Sequence, residues 1–491
     1  MESQIYRIHP ESPFSAEYPL SECDRQVPVR FIRKAFIYAM DHNISSKSKD
    51  GESLIRRLQE SLQLLLRELN PDTFTYPQLL GCVISPTDGR PYVKVEESST
   101  IQLRVMDRPD IEFENLHRNG RFPLDTITTG VFGIGLEKED LMKWPNGPPN
   151  LAIQLTFIRG GFILLLAIDH RICDAYATSG FVKRWFRQVR LGSVADFEHE
   201  EGLIPTFAIH DKTVLSRTEL EGSEHATQKL RALYKKAMPS NTLPNKWIQT
   251  SSKAVTKIFW IPAHKIKELR STVGESSSLT PTVYESLLIV LWRSIIRIRL
   301  TPETESASAI SKAAIVMCMR ERLEPPLPRD YFGNAVAGIF AMQPLSNFKE
   351  KDYISRAVQE VQEAKKRDGT GFNLQASSLF VGEQLRKFGI APPMDLLGHD
   401  MLFNSWEHIY SSTEDLDLGI GQFCTMRWLM DNPISPSYIC TLPTYGKRSI
   451  DIMDSTSCQY PGGIELQISL LEHEMALLEQ DEEWLKYATV V

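Results

Sequence analysis

The sequence predicts an α/β protein of two domains, with mixed sheets flanked by helices. Three observations carry that expectation. The chain has 491 residues, too many for one ordinary domain, so two domains of roughly 200 residues each are expected. Strand-like and helix-like stretches alternate irregularly along it, the pattern of layered α/β or α+β architecture. A charged, irregular stretch from about Gly192 to Lys253 separates the two halves. The domains are read as 1–205 and 254–491, with a crossover linker at 206–253.

In the first half, Leu54, Leu58, Leu62, Leu65 and Leu69 recur at spacings of three and four, which predicts an amphipathic helix over Ser53 to Leu69. Asn70-Pro71 is its expected stop. Leu151 to Ile158, the turn Arg159-Gly160-Gly161, and Phe162 to Asp169 read as a hairpin whose second strand is buried on both faces. Phe181, Trp185, Phe186 and Val189 mark the helix after it. The crossover carries acidic clusters at Glu198 to Glu201 and Glu219 to Glu224, with helix expected near Ala226 to Ala237. The second half opens on a strand near Ala254 to Ile261. Thr282 and Glu285 then have capping-box spacing ahead of a stripe formed by Tyr284, Leu287, Leu288, Leu291 and Ile295. A last amphipathic, acidic helix is expected over Leu471 to Tyr487.

Composition removes several function classes. Hydrophobic residues at 42% and charged residues at 24% are globular values, enough for a core without metals or disulfides. A net charge of −7 offers no basic field for nucleic acid. The longest charge-free apolar run, Gly160 to Ile168, is far shorter than the ~20 residues of a bilayer span. Met1 to Pro10 lacks an apolar signal core, so a cytosolic location is expected. The seven cysteines are scattered with no metal or redox spacing, and reduced thiols are expected. There is no G-x-S-x-G, P-loop or G-x-G-x-x-G after a strand, and His399, Asp400 and His408 are not spaced as metal ligands. Trp185 and Trp292 stand at helical spacing and read as core.

One constellation offers chemistry. His170-Arg171-Ile172-Cys173-Asp174 is an H-x-x-x-D run at the end of seven apolar residues, Phe162 to Ile168. Taken alone the pattern also fits a hydrogen-bonded histidine at a strand end. Its place at a core edge supplies desolvation, and a neutral imidazole with an ordinary pKa near 6.5 can take a proton from an alcohol.

Further motifs join it in order. Leu20-Ser21-x-x-Asp24 and Pro28 come first, and Gln154, Phe157, Gly160 and Gly161 precede His170. Tyr284 to Arg293 follows, then Arg320-x-Arg322, Pro325 to Pro328, and Tyr331-Phe332-Gly333-Asn334-Ala335. Asn404-Ser405-Trp406, Asp417-Leu418-Gly419-Ile420-Gly421 and Gly462-Gly463-Ile464-Glu465 complete the set. Taken together the chain resembles the BAHD-type acyl-CoA-dependent acyltransferases, in particular the fungal branch around trichothecene O-acetyltransferases. The resemblance spans nearly the whole sequence. Departures are Ala175 where glycine usually follows the Asp, Asn404 for the Thr of T-S-W, and Leu418 and Ile420 for the aromatics of D-F-G-W-G.

The resemblance implies a chloramphenicol-acetyltransferase-like fold with a solvent channel between two domains. It implies an O-acyltransferase, foremost an O-acetyltransferase, acting on a secondary-metabolite hydroxyl such as that of an alkaloid or terpenoid. Acetyl-CoA or another acyl-CoA would be co-substrate, with no bound cofactor or metal, in a monomer. It makes His170 the general base and Asn404 and Trp406 the oxyanion donors. Asp174 becomes a structural carboxylate paired with Arg320, and Asp417, Gly419 and Gly421 a structural brace. No covalent acyl-enzyme is required, so Cys173 is expected to pack. Competing expectations are N-acylation, transfer of a longer acyl group, a condensation-domain-like enzyme, and a non-catalytic small-molecule binder on the same fold.

Overall fold

The structure is a computed structural model. It describes residues 3–69, 75–86, 90–127, 147–192, 209–217, 220–237, 254–302, 309–388, 394–410, 412–430, 436–443 and 462–491. Asn70-Pro71, the Glu198–Glu201 cluster and most of the crossover lie outside these residues. Two compact units emerge. The first combines Met1–Thr218, Pro326–Ala335 and Ser412–Asn432, and the second Glu219–Pro325, Val336–Ser411 and Pro433–Val491. The units therefore interleave along the chain instead of dividing it at one linker.

Strands of the first unit are β1 (Ser3–Ile8), β2 (Ala16–Pro19), β3 (Phe31–Ala39), β4 (Cys82–Ile84), β5 (Tyr92–Val95), β6 (Ile101–Glu112), β7 (Leu151–Arg159) and β8 (Gly161–Asp169). The second unit contributes β9 (Ala254–Ile261), β10 (Ile310–Cys318), β11 (Val336–Pro344) and β12 (Met401–Ser405). β13 (Gln422–Leu429) belongs again to the first, and β14 (Tyr438–Thr441), β15 (Ile464–Leu471) and β16 (Thr489–Val490) to the second.

In the first unit a six-stranded sheet runs β1-β6-β7-β8-β3-β13, and β2-β5-β4 form a small second sheet. The large sheet is mixed: β6 and β7 are parallel, and the other pairs antiparallel. β8 is buried at every position because it is central and covered on both faces, as its unbroken apolar run requires. One face packs Phe31, Ala35, Ile37, Phe113, Ile163 and Leu165. Helix α1 (Lys49–Leu65) and helix α2 (Ala175–Leu191) lie together elsewhere in the unit, where the Trp185 indole donates to Ser61 Oγ at 3.0 Å. Leu54, Leu58, Leu62 and Leu65 are all fully buried, each burial contributing ~1.5–3 kcal/mol. α1 starts and ends four residues before the expected span, because Ser48 caps it and accepts from the Gly51 N–H.

In the second unit the sheet order is β11-β10-β12-β14-β15-β9-β16, with β10, β12 and β14 parallel to one another. Its helices are α3 (Ser223–Ala237), α4 (Ala263–Glu275), α5 (Val283–Arg299), α6 (Tyr353–Asp368), α7 (Gly371–Phe388), α8 (Glu472–Leu478) and α9 (Glu482–Leu485). α5 is apolar nearly all round and therefore central. Both halves of its capping box form: Glu285 N–H donates to Thr282 Oγ1 at 3.2 Å, and Thr282 N–H to Glu285 Oε2 at 2.9 Å. The single terminal helix expected over Leu471 to Tyr487 is not observed. Leu471 ends a strand, and the rest breaks into α8 and α9 because Asp481 caps a new turn, accepting from Trp484 N–H at 2.7 Å.

Candidate active site

The hairpin of β7 and β8 delivers His170. Gly160 makes the turn at φ +77°, and register then carries Asp169 opposite Phe31. His170 extends that ladder by one bond, its N–H donating to the Arg30 carbonyl at 2.9 Å. The turn after the strand is closed by Asp169, whose buried carboxylate accepts from the Arg171 backbone N–H at 2.9 Å and pairs with the Arg171 guanidinium at 2.5 Å.

A second frame holds His170 from its carbonyl. Asn334 Nδ2 donates to the His170 carbonyl at 2.9 Å and to Asp24 Oδ1 at 2.9 Å, while the Asn334 N–H reaches the same Asp24 oxygen at 2.7 Å. Asp24 is fully buried. Its other oxygen accepts from the Ser21 N–H and hydroxyl at 2.9 and 2.8 Å and from Lys212 Nζ at 3.0 Å. An ionised carboxylate in a core needs this many donors and a counter-charge. Lys212 also donates to the Phe332 carbonyl at 2.7 Å.

Burial, and after it the Arg30 charge, pulls the His170 imidazole well below its ordinary 6.5. Its Nδ1 is buried and has no hydrogen-bond partner among the described residues. The ring is thus neutral, the form that can accept a proton.

Asp174 is the N-cap of α2. Its Oδ1 accepts from the Ala177 N–H at 2.9 Å and its Oδ2 from the Ala335 N–H at 3.0 Å. Cys173 is fully buried and its thiol is pushed up to about 12 by burial, so it is no nucleophile at neutral pH.

Gly419 and Gly421 adopt φ of +69° and +68°, and Asp417 Oδ1 accepts from the Gly419 N–H at 2.8 Å. The Arg57 guanidinium donates to the Leu418 carbonyl at 3.0 Å, and Arg190 approaches Asp417 at 3.6 Å. Gly421 abuts Ala39 and Phe162, at the end of β3 and β8 opposite to Phe31 and Asp169. Eight strand residues separate those ends, ~27 Å at ~3.4 Å per residue.

Three candidate residues belong to the second unit. Arg320 is buried just after β10 and donates to Cys318 Sγ at 3.6 Å. Trp406 is buried at the end of β12, its backbone N–H donating to the Thr441 carbonyl at 2.8 Å. Asn404 Oδ1 accepts from the Ser405 N–H at 2.8 Å, and its Nδ2 donates to the Tyr438 hydroxyl at 2.8 Å.

Sequence reasoning did not assign a site role to Asp24, Asn334 or Lys212. Asp24 had a local signal, since Ser21-x-x-Asp24 is the spacing of a side-chain-closed turn. The Asn334 bond to His170 spans 164 residues and the Lys212 bond to Asp24 spans 188, so neither had a local signal.

Residues 137–485 match the family described as the Transferase family. Acyltransferase M4 of Phoma sp. is 24% identical over 347 residues, covering 65% of this chain and 68% of that protein. The omega-hydroxypalmitate O-feruloyl transferase of Arabidopsis thaliana is 25% identical over 370 residues, 74% of this chain and 72% of its own. Among solved structures, TRI101 of F. sporotrichioides complexed with coenzyme A and T-2 superposes with a TM-score of 0.71 at 19% identity, covering 97% of this chain and 99% of that one.

Proposed function

The chain belongs to the Transferase family of BAHD-type acyltransferases, and on that premise we propose that it is an acyl-CoA-dependent O-acyltransferase acting on a hydroxyl of a secondary metabolite. Acetyl is the acyl group we propose, and an alkaloid or terpenoid alcohol the acceptor class. The observation that carries this is His170: a neutral, core-edge imidazole whose backbone is held on both sides, by Arg30 and by Asn334. The coenzyme A named in the TRI101 complex and the O-feruloyl transfer named for the Arabidopsis relative support it.

His170 removes the acceptor hydroxyl proton while the oxygen attacks the thioester carbonyl carbon. The carbonyl oxygen becomes an oxyanion, which needs donors in place beforehand. We assign those donors to Asn404 through its amide and Trp406 through its indole N–H. Collapse breaks the carbon–sulfur bond, and protonated His170 returns the proton to the coenzyme A thiolate. We assign Asp174, Arg320 and the Asp417–Gly421 stretch to the frame. The enzyme is proposed to act as a cytoplasmic monomer on acyl-CoA and a small alcohol.

The test is release of free thiol from acetyl-CoA with a panel of alcohols, with products identified by mass spectrometry. His170→Ala should lower turnover by at least about 100-fold, with coenzyme A binding intact. Near-normal turnover in that variant would sink the mechanism, and transfer only to amines would replace O-acylation by N-acylation.

A further inference from the structure

We infer that Tyr438 is a positioning residue for acyl transfer, locking the Asn404 amide so that one N–H is left over for a reacting oxygen. This rests on the oxyanion role proposed for Asn404.

The orientation of the amide follows from its partners. A backbone N–H can only donate, so the Asn404 atom that meets Ser405 N–H at 2.8 Å must be the oxygen. The NH2 group is then the one that faces the Tyr438 hydroxyl at 2.8 Å. With its oxygen tied back to the chain and one hydrogen on Tyr438, the side chain has no freedom to turn over. Its second Nδ2 hydrogen meets no other acceptor among the described residues. Asn404 is half-buried, so that hydrogen is not sealed in the core.

The sheet explains why these two residues meet. β12 and β14 run parallel with Leu402 opposite Tyr438 and Asn404 opposite Cys440. Positions 402 and 404 share a face, as do 438 and 440, so Asn404 and Tyr438 are diagonal neighbours on one face. Tyr438 is itself 8% exposed, wedged in a strand that is buried throughout. The rest of the segment is braced too: Thr441 Oγ1 donates to Ser405 Oγ at 2.7 Å, and β14 accepts the Trp406 N–H. The segment's backbone is held by β14, and the Asn404 amide by the Ser405 N–H at its oxygen and the Tyr438 hydroxyl at its nitrogen.

A double-mutant cycle in the full chain separates positioning from general stability. The readouts are kcat and KM for acetyl-CoA with an alcohol that is turned over, referred to the folded fraction measured by coenzyme A titration. Tyr438→Phe deletes one oxygen and should lower kcat by about tenfold while KM stays within about twofold, a fraction of the ~100- to 1,000-fold expected for losing the donor itself. In an Asn404→Ala background the same change should alter kcat by less than about twofold, since there is no amide to hold. Equal losses in both backgrounds, an effect on KM alone, or no effect would overturn the positioning role. If Asn404→Ala itself leaves kcat unchanged, the oxyanion assignment falls and this inference with it. If Asn404→Ala is slow and Tyr438→Phe is normal, only the inference falls.

Discussion

The general-base role proposed for His170 rests on its location. Removing an imidazolium from water is costly, and the neighbouring Arg30 charge disfavours it further, so the ring stays neutral at pH values where a free histidine titrates. The sign is definite. A base with a depressed pKa is competent above that pKa, so lowering the pH through 6.5 should not protonate it. The acid limb of log kcat/KM should therefore fall below pH 6.5, and Arg30→Gln should move it upward. A pH–rate profile whose acid limb sits at or above 6.5 would contradict this. The same burial isolates Asp24, whose charge is met by Lys212 and whose oxygens are filled by Ser21 and Asn334.

At the scale of the element, the ends of strands and helices decide more than their middles. α2 needs an acceptor at its N-cap, and Asp174 supplies it while its second oxygen takes the Ala335 N–H. One residue thus ties the start of a helix to a segment from the other half of the chain. At the far end of β8, Gly421 sits at φ +68° with Met40, Phe162 and the Ala39 carbonyl 3.0–3.1 Å from where a Cβ would be. Gly421→Ala should cost at least ~1–2 kcal/mol, the penalty of the left-handed conformation alone. Gly462→Ala, where an added Cβ meets nothing within 4 Å, is the neutral control. Denaturant midpoints measure both. Because Gly421 lies ~27 Å along the strand from the His170 end, turnover per folded molecule should hold within about twofold. A Gly421→Ala protein as stable as the parent, or one that is stable but slow, would count against the bracing role.

At the scale of the molecule, the first unit is built from three separated pieces of chain. β13 closes one edge of its six-stranded sheet against β3, and Pro326–Ala335 supplies Asn334 to Asp24 and His170. A fragment ending at Thr218 would lose that edge strand and leave the buried Asp24 short of donors. Breaking such a buried charged network costs ~3–5 kcal/mol, a large share of a typical domain's stability. Expressed alone, residues 1–218 should fail to show cooperative unfolding by circular dichroism and should be cut readily by protease. A fragment that melts cooperatively would show that the first unit needs neither later piece. No helix among the described residues is long and apolar enough to cross a membrane.

Period and capping chemistry are local, and what depends on them was legible in the sequence. The β7–β8 hairpin, the β9 strand and the Thr282–Glu285 box stand where their residues placed them, and His170 ends the apolar run as read. The mixed-sheet α/β class and the BAHD family were legible too, the latter through ordered motifs. Where a local contest was close, as between one helix and two over Leu471 to Tyr487, the Asp481 cap prevailed over amphipathic periodicity. Partners distant in sequence were a different matter. That Asn334 reaches back to Asp24 and His170, that Tyr438 faces Asn404, and that β13 completes the sheet begun by β1 depend on closing loops of tens to hundreds of residues. No local pattern encodes such closures. They form only when burial leaves polar groups that must find partners, and the folded chain alone determines which partners are within reach.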